Sequence, residues 1–177
     1  MQIENVQSNS VFPLALDKIM TLDAITEIVK GECIYTKGVF DILHYGHLSL
    51  FSYLDKLKQG GTLKIVVGVT SDRVVKIKKG DNRPINPEHE RTMQIAFLSQ
   101  VDFVYTHDEV DYINAITVLK PQVYVKGMDT VGQQDNGVIL EKNPEFTFLD
   151  VSAKLVVYND NSSISTSDII NRIVAKA

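Results

Sequence analysis

The chain holds a single cysteine, Cys33. An internal disulfide is therefore excluded, and a fold stapled by cross-links with it; Cys33 is expected in a strand as a small apolar residue. No apolar run approaches the roughly 18 residues that a membrane span needs. Basic residues are not in excess: 18 Lys and Arg against 22 Asp and Glu leave a net charge of −4. That sign argues against general nucleic-acid binding. Met1-Gln2-Ile3-Glu4 shows neither the basic nor the apolar region of a signal peptide, so a cytoplasmic protein is the expectation. Internal repeats and low-complexity segments are missing too. What remains is an ordinary globular composition, 44% hydrophobic and 23% charged over 177 residues, enough for one domain with a proper core.

Strand-like and helix-like patterns alternate along that core. Residues 1 to 20, interrupted by Pro13, have no period and read as an N-terminal arm, with a single domain over 21–177. Leu22, Ile25, Ile28 and Val29 share a helical face that Gly31 ends. Strands are expected at about Cys33–Thr36, Leu63–Val69, Val101–Tyr105, Pro121–Val125 and Leu155–Tyr158. Leu63 to Val69 is a nearly unbroken β-branched run, the signature of a strand buried on both faces. A basic loop (Arg73, Lys76, Lys78, Lys79, Arg83) follows it, and Asn86-Pro87 reads as cap and first residue of another helix. In that helix Arg91 heads a stripe with Ile95 and Leu98, either snorkelling or directed into a site. Val110–Leu119 is a helix, residues 128–150 an irregular connection with some helix at Val138–Lys142. Ser165-x-x-Asp168 opens a last helix, buried through Ile169, Ile170, Ile173 and Val174. Alternation of this kind gives an α/β fold with a doubly wound, parallel, five-stranded sheet and helices on both faces.

The stretch that organises the chain is Gly38-Val39-Phe40-Asp41-Ile42-Leu43-His44-Tyr45-Gly46-His47. A strand precedes it, and Leu50, Phe51, Leu54 and Leu57 make the segment after it an amphipathic helix. Glycines let backbone approach a ligand, and a helix start offers orphan N–H groups and a positive dipole end to a phosphate. His44 and His47 straddle that start, so both can address one anion. The plainer alternatives are a helix cap with surface histidines, or a metal pair, although no further Cys or His lies at a zinc-like spacing. His89 and His107 read as surface residues. No nucleophile–base pair stands out for covalent catalysis; direct phosphoryl-type transfer needs only positioning and charge stabilisation.

Gly-x-Phe-Asp-x-Leu-His-x-Gly-His resembles the HxGH signature of the cytidylyltransferase-like nucleotidyltransferases, and further motifs follow in the family's order over roughly residues 30–175. The resemblance implies a Rossmann-like fold. It also implies attack of an acceptor's phosphate on the α-phosphate of a nucleoside triphosphate, with release of pyrophosphate. It assigns His44 and His47, with Lys79 and Arg91, to catalysis. Lys37, Gly38, Val39, Phe40, Gly46 and Arg83 then contact the nucleotide phosphates, and Asp41 lies near the acceptor. Val125-Lys126-Gly127-Met128-Asp129 matches the family's Val-Lys-Gly-x-Asp, placing Lys126, Gly127 and Asp129 at the nucleoside. Ile164, Ser165, Thr166 and Ser167 match its Ile-Ser-Ser/Thr-Thr element at the outer phosphates. Mg²⁺ is implied as the triphosphate's counter-ion, with no protein ligand assigned, and relatives are commonly homodimers.

Within the family the resemblance divides. Lys79-Gly80-x-x-Arg83-Pro84 and Ile19-Met20-Thr21-Leu22-Asp23 are similar to the heptose-1-phosphate adenylyltransferases, whereas His44-Tyr45-Gly46-His47 is the form frequent among glycerol-3-phosphate cytidylyltransferases. Tyr158 to Ser163 lacks the arginine usual in the cytidylyl branch, and the segment between Asp129 and Leu155 is longer than in either. AMP transfer from ATP to a sugar phosphate is therefore favoured over CMP transfer from CTP to a polyol phosphate. Coenzyme-precursor adenylyltransfer keeps the chemistry with another acceptor. A nucleotide-binding module without turnover is the alternative of a different class. An aminoacyl-tRNA synthetase is excluded by acidity, shortness and the lack of a Lys-rich second signature.

Overall fold

The computed structural model describes residues 13–58, 60–110, 113–127, 154–158 and 164–176; the expected connection over 128–150 falls outside them. Five strands hydrogen-bond into one sheet: β1 (Cys33–Gly38), β2 (Lys64–Thr70), β3 (Phe103–His107), β4 (Val123–Gly127) and β5 (Lys154–Tyr158). All four pairings are parallel, in the order β3-β2-β1-β4-β5. The chain thus builds outward from β1 to β3, then returns across β1 to lay down β4 and β5. Strand order reverses between β1 and β4, which is where open α/β sheets bind ligands.

Alternate side chains of each strand feed two cores. Ile34, Ile65, Val67, Val69, Val104 and Val125 are buried on the face covered by α3 (Tyr45–Leu57) and α5 (Glu88–Ala96). Cys33, Tyr35, Val66, Tyr105 and Tyr124 are buried on the other, under α2 (Leu22–Val29) and α6 (Ile113–Leu119). Period-two alternation between two apolar faces explains the continuous apolar runs of the strands. Burial pushes the Cys33 thiol up to about 12, so it packs as an inert apolar group.

The second face carries a tyrosine ladder. Tyr35 stacks on Tyr124 at 5.5 Å between ring centroids, and its hydroxyl lies 2.7 Å from that of Tyr105. This meeting passes over Gly68 of the intervening β2, where an added Cβ would lie 2.9 Å from Tyr35 Oη and 3.0 Å from Tyr105 Oη. Gly68→Ala is therefore expected to destabilise the fold by about 1–3 kcal/mol, as overpacking does. Urea unfolding checks this: Gly68→Ala/Tyr105→Phe should recover part of the loss, and an unshifted midpoint in Gly68→Ala would refute the crowding.

Several local expectations change. Residues 73–79, expected in a basic loop, form α4 (Asp72–Lys79) because the Ser71 hydroxyl accepts from Val74 N and Val74 and Val75 are buried. Asn86 does not cap the next helix: Pro87 occupies the N-cap position and Glu88 is the first helical residue. From residue 13 the expected arm packs as part of the fold. Following α1 (Pro13–Leu16), Ala15 is buried, Ile19 bridges to Val104, and Lys18 Nζ donates to Leu98 O at 3.0 Å. That stub covers the open edge of β3, the usual remedy for an exposed strand edge. His107, expected at the surface, is buried at the end of β3, edge-on to Tyr105. In α7 (Thr166–Val174), by contrast, Ile173 and Val174 are 61% and 69% exposed rather than buried.

Candidate active site

Lys37 and Gly38 end β1 beside the switch point, and the next two residues form a sharp turn. Phe40 sits there at φ 51°, a left-handed conformation that is strained for a large side chain. Its ring folds back over the strand end, so that a Cβ on Gly38 would lie 2.8 Å from Phe40 Cζ. Gly38 is thus a glycine for the sake of Phe40, and not solely to admit a ligand. The ring also meets His47 edge-on at 5.2 Å and Phe51 at 5.6 Å. Phe40 is the floor on which the second histidine rests.

His44 is the N-cap of α3 in extended conformation, and its side chain makes no capping bond. It is directed instead onto His47: the two rings stack at 3.8 Å with 26° between planes. Buried Gly46 leaves the first turn narrow between them. The first N–H groups of α3 point out of the same helix end that presents both imidazoles. A strand end, a helix start and two stacked imidazoles thus converge on one point, a geometry suited to an anion.

Behind the turn lies a network of charges. Arg91 is fully buried; its Nη1 donates to Val39 O at 2.6 Å, its Nε to Asn86 O at 2.9 Å and its Nη2 to Asp72 Oδ1 at 2.7 Å. All three nitrogens are engaged with protein, so Arg91 is not snorkelling. It is a positioning residue that holds the turn. Asp41 is held in the same way. Its carboxylate, 1% exposed, accepts from Arg83 Nε at 2.8 Å, Ile85 N at 2.8 Å and Asn86 N at 2.9 Å, while Asn86 Nδ2 donates to Asp41 O. Its carboxylate is held by residues 83–86. Phe40 is therefore flanked by two residues that are both tied to segment 83–91, which opposes relaxation of its strained backbone. The expected convergence of free cations shrinks accordingly, since Asp41 and Asp72 engage two of the arginines.

Two members of this network, and one residue outside it, are not marked by the sequence pattern. Asp72, in the first turn of α4, also donates its N–H to Glu88 Oε2 at 2.7 Å; the Ser71-Asp72 pair after an apolar run was the available signal. Asn86 has the look of a cap in sequence because Asn-Pro is a common helix start. Tyr158, at the end of β5, lies 2.5 Å from Ser49 Oγ and stacks on Tyr53 at 4.9 Å; it ties that edge of the sheet to α3, and no sequence pattern marks it.

The other expected site residues are placed as follows. Lys79 is exposed at the end of α4. Lys126, 6% exposed, and Gly127 end β4 beside the end of β1. Asp129 lies outside the described residues. Ser165 caps α7 in a full capping box: its hydroxyl accepts from Asp168 N, and its N–H donates to Asp168 Oδ2 at 2.8 Å. The hydrogen bonds from the Ser165 hydroxyl and N–H hold the Asp168 carboxyl below the usual range. Ser165 is thereby occupied, leaving Thr166, Ser167 and the flanking Ile164 at that helix start. No three His, Cys, Asp or Glu residues among those described gather as a metal cage, and no helix among them is long and apolar enough to cross a membrane.

The profile of the cytidylyltransferase-like family matches residues 35–172. A bifunctional protein HldE of Campylobacter fetus is 40% identical over 97% of this chain and 34% of its own length. One from Helicobacter pylori is 37% identical over 88% of this chain and 31% of its own. The chain thus spans about a third of the length of these curated relatives. Among solved structures, a lipopolysaccharide core biosynthesis protein from Thermoplasma volcanium superposes with a TM-score of 0.54 at 27% identity, covering 70% of this chain and 93% of that one. A pantoate-beta-alanine ligase from Francisella tularensis shares the fold (TM-score 0.53) at 13% identity, over 90% of this chain and 78% of its own.

Proposed function

Because the chain belongs to the cytidylyltransferase-like family, and is a nucleotidyltransferase by that membership, we propose that it transfers a nucleoside monophosphate from a triphosphate to a phosphorylated sugar, with AMP and heptose 1-phosphate as the favoured pair. The observation that carries this reading is the stacked His44–His47 pair at the switch point of the sheet. In the reaction a phosphate oxygen of the acceptor attacks the α-phosphorus, the bond from that phosphorus to the α–β bridging oxygen breaks, and pyrophosphate leaves. No enzyme nucleophile is needed. His44, His47 and the first N–H groups of α3 hold the α-phosphate oxygens, where charge accumulates. Lys37 and Gly38 line the α-phosphate pocket, Lys126 and Gly127 the nucleoside side, and Thr166 and Ser167 meet the outer phosphates. Exposed Lys79 offers charge at the entrance. A Mg²⁺ ion arriving with the triphosphate draws its ligands mainly from phosphate oxygens and water, as that ion usually does.

AMP is favoured over CMP by the Lys79-Gly80-x-x-Arg83-Pro84 element and by the match to the HldE proteins over nearly the whole chain. Pyrophosphate release in the presence of Mg²⁺ tests the proposal, with ATP and CTP run separately against heptose 1-phosphate, glycerol 3-phosphate and other phosphorylated acceptors. Release is expected with ATP and a sugar 1-phosphate. Release with CTP and a polyol phosphate would transfer the protein to the cytidylyl branch. Nucleotide binding without release from any pair would favour a binding module.

A further inference from the structure

One guanidinium nitrogen in the network has no role in the scheme above. Arg83 Nη2 is buried and meets no hydrogen-bond acceptor among the described residues, although the same side chain is fixed through Nε to Asp41 at 2.8 Å. Asp41 is itself held by Ile85 N and Asn86 N, so the plane of the guanidinium cannot swing away to find another partner. A desolvated N–H left unsatisfied is costly, and such groups in folded proteins call for a specific explanation. We infer that Arg83 Nη2 is the built-in donor to the phosphate of the acceptor substrate. This deepens the nucleotidyl-transfer reading and rests on it.

Topology selects the acceptor over the nucleotide. Arg83 lies between α4 and α5, in the crossover from β2 to β3, on the β2 side of β1. The residues proposed for the nucleoside and outer phosphates come from β4 and from the segment after β5, on the opposite side of β1. In-line transfer requires the attacking and leaving groups on opposite sides of the α-phosphorus. With pyrophosphate leaving on the β5 side, the attacking phosphate enters on the β2 side, beside Arg83. Asp41 Oδ2 takes the Nε–H, which fixes the guanidinium plane and leaves the Nη2 N–H groups to be satisfied. Shielding from bulk water strengthens a charge-assisted bond made there.

Arg83→Lys separates the two functions of the side chain. The lysine ammonium can still satisfy Asp41 but brings no second nitrogen. The KM for the sugar phosphate is expected to rise by about tenfold or more, the loss of one charge-assisted bond, while the KM for ATP changes by less than about twofold. A binding readout independent of turnover accompanies it: inorganic phosphate is titrated into protein saturated with a non-hydrolysable ATP analogue, followed by thermal shift and phosphorus NMR line broadening. Wild type should respond and Arg83→Lys should not. Equal responses, or an ATP KM that rises with the acceptor KM, overturn the assignment. Should Arg83→Lys unfold, Arg83→Met/Asp41→Asn removes both charges together and must show the same selective loss. If wild type turns over no pair, the proposed reaction fails while the phosphate titration still decides for or against Arg83.

Discussion

Arg91→Ala is expected to lower stability by about 3 kcal/mol or more, because removing one partner of a buried ion pair strands the other groups. Three acceptors lose their donor at once: the Val39 carbonyl at 2.6 Å, the Asn86 carbonyl at 2.9 Å and the Asp72 carboxylate at 2.7 Å. Asp72 retains 32% exposure of its side chain, so water repairs part of that loss and the effect falls toward the lower end of the range. A cavity the size of a guanidinium adds to it. Arg91→Lys should restore only part, since a single ammonium on a flexible stem cannot serve three acceptors set around a planar fork. Urea unfolding of the three proteins measures this. Because Val39 precedes strained Phe40, turnover should fall with stability. If Arg91→Ala instead kept its midpoint within about 0.5 kcal/mol, as ordinary surface substitutions do, and lost only turnover, Arg91 would be touching substrate after all.

That outcome matters because Arg91 is where reading residues in order and reading them in space diverge. An arginine at the head of an apolar stripe is ambiguous in sequence: the stripe (Arg91, Ile95, Leu98) is real, and both Arg91 and Ile95 are buried. What the stripe could not reveal is that the partners wait 19 and 52 residues earlier, at Asp72 and Val39. Asp41 hides its partners in the same way: two of its donors are the backbone N–H groups of Ile85 and Asn86, with no side-chain identity to read, and the third, Arg83 Nε, comes from 42 residues away. Local features were legible. The strand, turn and helix around His44 and His47 follow from two periodicities and a pair of glycines, and the Ser165–Asp168 capping box follows from a spacing of three. In the basic segment the charges mask Val74 and Val75, which with the Ser71 cap carry the helix. The expected burial of α7 rested on amphipathicity alone; an apolar stripe shows which face seeks a partner without supplying one, and Ile173 and Val174 remain exposed among the described residues.

His47→Ala should reduce kcat by about 10²–10³-fold, the usual consequence of deleting one preorganised donor to developing charge. Nucleotide affinity should fall much less, because the deleted contact strengthens only as the α-phosphate approaches the transition state. Such a split separates an enzyme from a nucleotide-binding module, in which affinity is all there is to lose; equal losses in both would favour the module. The histidine pair allows a sharper test. The rings stack at 3.8 Å, and His47 rests edge-on against Phe40 at 5.2 Å, so each imidazole restricts the orientations open to the other. His44→Ala should therefore cost kcat in two ways, by removing its own donor and by loosening His47. The double variant should then be far less impaired than the product of the single effects, as residues acting as one unit behave. Multiplicative losses would mean that the two histidines act independently and that the stack is incidental. Phe40→Leu distinguishes the cause of any coupling. It keeps a large apolar side chain but removes the aromatic ring beneath His47, so a fall in kcat at unchanged ATP affinity would place the orienting force in the floor of the site, where strained backbone, glycine and ring meet.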